Sequence, residues 1–267
     1  MVSEEVRRFA EDPAAYGEIR PESGLTRIMT DAYCVLLGPV PSFTLVTRLR
    51  LDDERLSETI AEVRGIVAEH EHRGANWWVG SSSTPSDLAD RLQTQGFVPD
   101  ERPGWEPHAT SLVLTSEPPA VPGIEARRVA SYEEYRRAAD ISHTAFGSSD
   151  EDRREWEQIA EERFERERAG HSARSYIAFL DGRAVGSAAA VIEADLPAVL
   201  MIGGGVLPEA RGAGVYRALI RARWDDAVAN GTPALCVQAG KMSRPVLEKL
   251  GFEAVDEQEV LLDTATL

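Results

Sequence analysis

Gly203-Gly204-Gly205-Val206-Leu207-Pro208-Glu209-Ala210-Arg211-Gly212-Ala213-Gly214-Val215-Tyr216-Arg217-Ala218-Leu219 is the stretch on which the reading of the chain turns. It begins inside Ala198–Leu207, apolar throughout, as a central strand should be. It ends inside Gly214–Ala229, which has helical spacing and is closed by Asn230-Gly231. A strand thus runs through a tight loop bearing arginine and glycine straight into a helix. The first-turn N–H groups of such a helix have no intrahelical partner, and the helix dipole adds partial positive charge at the same end. Glycines let the backbone close on an anion with no Cβ between them. Arg211 adds a donor fork matched to phosphate. Physically this is a phosphate cradle. It is not a P-loop, because no Gly-Lys-Ser/Thr follows; a dinucleotide fingerprint can start at Gly203 and Gly205, but Pro208 occupies the place of its third glycine.

Working outward, Ile124–Val129 reads as a strand and Ser131–Phe146 as a helix, with Ser131 as N-cap and Glu134 completing a capping box. Asp150–Ala169 is a charged helix with Trp156, Ile159, Ala160 and Phe164 at helical spacing. Tyr176–Leu180 and Ala184–Ile192 are strands joined by Asp181-Gly182, a hairpin signal. Past the cradle come a strand at Ala234–Ala239, a short helix at Arg244–Leu250 closed by Gly251, and final strands at Phe252–Ala254 and Gln258–Leu262. Three prolines and a glycine in residues 117–123 mark a linker, which divides the chain into 1–116 and 124–267. The first part reads as strands Arg27–Gly38 and Phe43–Leu51, helix Leu56–His72, strand Asn76–Val79, helix Ser86–Gln95 and strand Thr110–Thr115. Gly74 aligns with Gly231 and Gly96-Phe97 with Gly251-Phe252 to within a two-residue gap, which points to an internal duplication. The expected fold class is α/β: a mixed sheet flanked by helices.

The composition is globular, 43% hydrophobic and 28% charged. A net charge of -16 argues against nucleic-acid binding and favours a cationic small-molecule partner. Cys34 and Cys236 are too few for a disulfide framework. No apolar signal region opens the sequence and no run is long enough to span a membrane, so the expected location is cytoplasmic, away from membranes. On a helix, His70 and His72 point about 200° apart and cannot share a metal, so no metal is expected.

Arg211-x-x-Gly214-x-Tyr216 after a strand, with Val206 five residues before the arginine, resembles the acyl-CoA loop of the GNAT superfamily of acyltransferases. The family pattern is Arg/Gln-x-x-Gly-x-Gly/Ala, so Tyr216 departs at the last place. Ser243-Arg244-Pro245-Val246-Leu247-Glu248-Lys249-Leu250-Gly251-Phe252 is similar to the family's second motif. The resemblance spans 124–263 and implies two GNAT-like folds in tandem. By that resemblance, Gly204, Gly205 and Val206 pair with the pantetheine arm of acetyl-CoA. Arg211, Gly212, Ala213, Gly214, Val215, Tyr216 and Arg217 hold its pyrophosphate. The acyl group is then transferred to the amine of a small, cationic acceptor. The position from which relatives protonate the leaving thiolate with a tyrosine is Leu247, which has no proton to give, and the frequent asparagine is Gly240; Ser243 or water is left for that task. For the base, Glu193 and Asp195 stand in the turn before the central strand, His143 lies near the end of the first helix, and Cys236 matches a glutamate of some relatives.

In the first part the position matching Arg211 is Glu54, within Leu51-Asp52-Asp53-Glu54-Arg55, where carboxylates repel a pyrophosphate. That repeat is expected to be degenerate, serving structure or shaping the acceptor cleft. A non-catalytic acyl-CoA binding module is the alternative from another class, and a Rossmann-type nucleotide domain a third. The sequence leaves room for a homodimer.

Overall fold

The computed structural model describes residues 2–171 and 173–267. In chain order the elements are α1 (Glu4–Glu11), β1 (Thr26–Met29), β2 (Cys34–Leu37), β3 (Thr44–Thr47), α2 (Leu56–Glu69), β4 (Asn76–Val79), α3 (Leu88–Thr94), β5 (Phe97–Pro99) and β6 (His108–Leu114). After the proline-rich stretch follow β7 (Ile124–Arg128), α4 (Tyr132–Phe146), α5 (Asp150–Arg168), β8 (Arg174–Leu180), β9 (Arg183–Val191), β10 (Val199–Val206), α6 (Val215–Ala229), β11 (Leu235–Ala239), α7 (Arg244–Lys249) and β12 (Glu253–Asp263).

The local signals behave as their chemistry requires. Ser131 Oγ accepts from the Glu134 N–H at the head of α4, but the reciprocal half of the expected capping box is not made: the Glu134 carboxylate accepts from the Ala130 N–H, one residue before the cap, and from Arg127. α5 opens on a reciprocal capping box between Ser149 and Asp152. Asp181 and Gly182 both have positive φ, 50° and 75°, as the two-residue turn between β8 and β9 demands.

Three further expectations need correcting. Arg27–Gly38 is not one strand: Thr30 Oγ1 accepts from the N–H groups of Ala32 and Tyr33, and this turn splits it into β1 and β2. The strand expected over Phe43–Leu51 stops at Thr47, because Arg48 takes φ 53° with its N–H given to Asp12. Phe252–Ala254 and Gln258–Leu262 are one strand, β12, interrupted by a register shift between Ala254 and Asp256. Helix α1, capped by Ser3 and carrying Val6, Phe9 and Ala10 into the core, and the short β5 were not anticipated.

All strands join in one sheet, ordered β1-β2-β3-β4-β12-β6-β11-β10-β9-β8-β7 with β5 beside β12. The strands nearest the middle are exchanged. β6, from before residues 117–123, pairs antiparallel with β11 from Leu114↔Leu235 to Thr110↔Ala239. β12, from after them, pairs antiparallel with β4 from Asn76↔Leu262 to Val79↔Glu259. Each part also holds one parallel pair bridged by a helix, β3 with β4 and β10 with β11. This agrees with a duplicated plan.

On one face α6 packs Val215, Leu219 and Trp224 against Tyr176, Ala178, Val199 and Met201. α4 covers the opposite face through Ala138 and Ile141 on Ile177 and Ala184. α1 lies over Val113 and Cys236, so the start of the chain closes the sheet where β6 and β11 meet. At the other end α2 and α3 cover β2–β4, with Trp77 wholly buried. Each such large apolar side chain contributes about 1.5–3 kcal/mol by burial.

Candidate functional site

β10 and β11 are paired through Val199↔Leu235 and Leu200↔Cys236 only, and then diverge. The cause lies in Gly203-Gly204-Gly205, where each glycine has a different reason. Gly203 sits at φ 57°, inside the register shift of β10 against β9 between Ile202 and Gly205. A Cβ on Gly204 would lie 2.7 Å from Cε2 of Tyr216, and one on Gly205 would lie 2.8 Å from Cβ of Ala145. The bulge bends β10 away from β11, and the fork opens into a cleft of about 850 Å³.

The floor of the fork is the cradle. Gly212 and Gly214 take φ 82° and 94°, and Gly214 caps α6 without any side-chain hydrogen bond. The N–H groups of Val215, Tyr216 and Arg217 therefore have no intrahelical partner. Helices α1, α2, α4 and α5 carry acidic residues in their first turns; α6 carries none. The N-terminus facing the cleft is thus free of the negative charge that neutralises the others. Arg211 folds its Nε toward Val206 O at 3.3 Å. Gly204, Gly205, Val206, Arg211, Gly212, Gly214, Val215, Tyr216 and Arg217 all line the cleft, whereas Ala213 does not.

Tyr216, the departure from the expected pattern, turns into the fork with its ring against Gly204 and away from the loop. Burial pushes its phenol up, opposed by the Arg223 cation and the Ser243 hydroxyl nearby, so it holds its proton at neutral pH. Arg223 was not anticipated. It is 1% exposed, donates from Nε to Leu219 O at 3.0 Å and from Nη1 to Ala189 O at 3.4 Å, and leaves Nη2 buried with no partner. The signal was an arginine four residues after Leu219 on the apolar stripe of α6. Ser243 lines the cleft and gives its hydroxyl proton to Gly240 O at 3.3 Å. Leu247 is buried in the core.

The base candidates fare differently. Glu193 lies beside Gly17 and Leu196, outside the cleft, where burial raises its carboxyl. His143 turns from the cleft to meet Trp156 edge-on at 5.6 Å, with burial lowering its imidazole, although its neighbours Ser142 and Ala145 line the cleft. Cys236 is 1% exposed under α1 and burial pushes its thiol up. None of the three reaches the fork. Among the described residues the Asp, Glu and His side chains lining the cleft are Glu106 and His108, both from before residues 117–123, as are the cleft's two tryptophans, Trp78 and Trp105. Glu106 Oε2 accepts from the Lys241 N–H at 2.7 Å. In the first part, the turn between β3 and α2 is a 3-10 turn over Asp53–Arg55 in which Arg55 pairs with Glu58; the Asp53 side chain lies outside the described residues.

Residues 126–255 match the family model described as acetyltransferase (GNAT) domain. A GCN5-related N-acetyltransferase from Kribbella flavida superposes with a TM-score of 0.65 at 15% identity, covering 97% of this chain and 95% of that one. A tandem GNAT protein from the clavulanic acid biosynthesis pathway, without acetyl-CoA, gives 0.57 at 19% identity over 86% of this chain and 78% of its own. A GCN5-related N-acetyltransferase from Sphaerobacter thermophilus gives 0.57 at 16%, over 88% and 81%. No curated protein matches the sequence. Among the described residues no helix is long and apolar enough to cross a membrane. The strand fork and the uncapped helix start both lie within the residues that match the acetyltransferase (GNAT) domain model, and the fold as a whole is similar to that of a tandem GNAT protein over most of its length.

Proposed function

We propose that the protein binds acetyl-CoA in the β10–β11 fork and transfers the acetyl group to the amine of a small cationic acceptor. The observation that carries this reading is the uncapped, acid-free N-terminus of α6 beneath the diverging strands, with Arg211 and Arg217 beside it. The first-turn amides and the two guanidiniums would hold the pyrophosphate. The free backbone edge of Gly204–Val206 would pair with the pantetheine amides, which leaves the thioester deep in the fork. The amine attacks the thioester carbonyl carbon directly, helped chiefly by proximity and by backbone donors to the carbonyl oxygen. As the C–S bond breaks, its electron pair goes to sulfur. The Tyr216 phenol, protonated and in the fork, gives sulfur a proton and recovers one from the nitrogen of the adduct. Arg223 Nη2, without a partner in the free protein, steadies the phenolate in between. Tyr216 thereby takes the task that Leu247 cannot perform.

Calorimetry with acetyl-CoA tests the reading. Wild type should bind; the double variant Arg211→Glu plus Gly214→Glu puts two carboxylates at the helix start and should weaken binding about a hundredfold or more. Equal affinity in both would sink the assignment. Binding with no thiol release across an amine panel would favour a sensing module.

A further inference from the structure

The acceptor end of the fork is built by the part of the chain that lacks a cradle of its own. Trp78, on β4, and Trp105, in the loop before β6, meet edge to face at 6.4 Å and form one wall. The wall is held from behind: Arg102 covers Trp105 at 5.9 Å from its ring centre and is itself tied at 2.8 Å to Asp100, which is wholly buried. Trp78 Nε1 is buried with no partner, so a donor of that wall is unsatisfied. The same cleft is lined by Phe146, Ile202 and Met242, large apolar side chains 37%, 40% and 65% exposed. Apolar surface left open inside a cleft marks a surface to be covered.

At the foot of this wall is Glu106. Gly240, at the end of β11, makes room for it: a Cβ there would lie 2.4–2.6 Å from its carboxyl atoms. The carboxylate therefore occupies the space into which a side chain at 240 would project, beside the open arm of the fork. The cleft lining therefore carries Arg211 and Arg217 beside the uncapped start of α6 and Glu106 beside Gly240 at the end of β11.

Resting on the acetyl-transfer reading above, we propose that Trp78, Trp105 and Glu106 form the acceptor subsite, and that it takes a primary ammonium carried on an apolar or aromatic body. The rings and Phe146 cover the body, and the carboxylate receives the ammonium. Glu106 then serves as the catalytic base. It takes one ammonium proton, and the freed lone pair forms the C–N bond. The second proton passes by way of Tyr216 to sulfur, and the first leaves Glu106 for the water at the exposed His108 mouth.

Phenethylamine is the probe, with glutamate as an anionic control, and acetyl-CoA affinity is measured on every variant. Wild type should bind phenethylammonium saturably and acetylate it, and glutamate should do neither. Glu106→Gln keeps an acceptor for the Lys241 N–H but loses the charge. It should bind acetyl-CoA as wild type does, bind phenethylammonium about tenfold or more weakly, and lose about a hundredfold or more in kcat/KM together with the acid-side limb of its pH profile. Glu106→Asp should recover part of that loss, and Trp105→Ala should raise KM more than it lowers kcat. Failure of wild type to bind phenethylammonium, or a Glu106→Gln enzyme with unchanged rate and pH profile, overturns the subsite and leaves acetyl-CoA binding standing. Failure of wild type to bind acetyl-CoA removes the underlying reading and this one with it.

Discussion

Arg223 and Asp12 are two buried charges with opposite messages. Removing a cation from water costs several kcal/mol unless it is paired, and Arg223 leaves one nitrogen unpaired. Arg223→Met should accordingly hold or raise thermal stability, by about 1–4 kcal/mol, while thiol release falls; a variant that melts lower and retains full activity would contradict the role given to this guanidinium. Asp12 bears on pH. Burial, outweighing the hydrogen bond from the Arg48 N–H, pushes its carboxyl from 3.8 to about 6. The folded state thus holds this proton more tightly than the unfolded chain. The stability Asp12 contributes is fully present below about pH 4 and lost as pH rises through about 6, a swing of about 3 kcal/mol. Denaturant melts from pH 4 to 7 should show it, and Asp12→Asn should flatten that part of the curve.

Among the elements, β12 carries the most. Its last residue, Asp263, is wholly buried and accepts from Arg64 Nε and Nη2, both at 2.8 Å, which pins the strand under α2. Arg64→Ala strands that carboxylate and should cost about 3–5 kcal/mol, read as a lower denaturation midpoint with an unchanged slope. β12 also shows where sequence reading stopped. Elements set by neighbours in the chain were legible: Ser131 before α4, Asp181-Gly182 between β8 and β9, Asn230-Gly231 after α6. The turn between β1 and β2 was not, because Thr30-Asp31-Ala32-Tyr33 contains neither glycine nor proline and is held by a threonine hydroxyl. Nor could pairing between Asn76 and Leu262 be read, since partners so distant in sequence leave no local mark. The site divides in the same way. The Gly203–Arg217 loop was legible because its chemistry is contiguous. Glu106 was hidden in Arg102-Pro103-Gly104-Trp105-Glu106-Pro107, which reads as a turn, and only the exchange of β6 brings it to the end of β11.

For the whole molecule, the exchange means that neither part of the chain completes its own sheet. β11 needs β6 from the first part, and β4 needs β12 from the second. Residues 1–116 and 117–267 produced separately should each expose a long unpaired strand edge and precipitate or remain unfolded, while co-expression should recover soluble complex. Soluble, cooperatively melting separate halves would show that the exchange is dispensable. The same arrangement places the acceptor wall and the cradle on one continuous sheet, so the geometry between Trp105 and Gly214 does not depend on a flexible hinge at 117–123. It also sets an order of events at the ribosome. The chain carrying β4 emerges well before β12 does, and until then the edge of β4 that pairs with β12 lacks that partner. That edge must wait, sticky and unfinished, until Glu253–Asp263 has cleared the exit tunnel. A holding chaperone acting on the nascent chain before Glu253–Asp263 emerges should therefore raise its soluble yield.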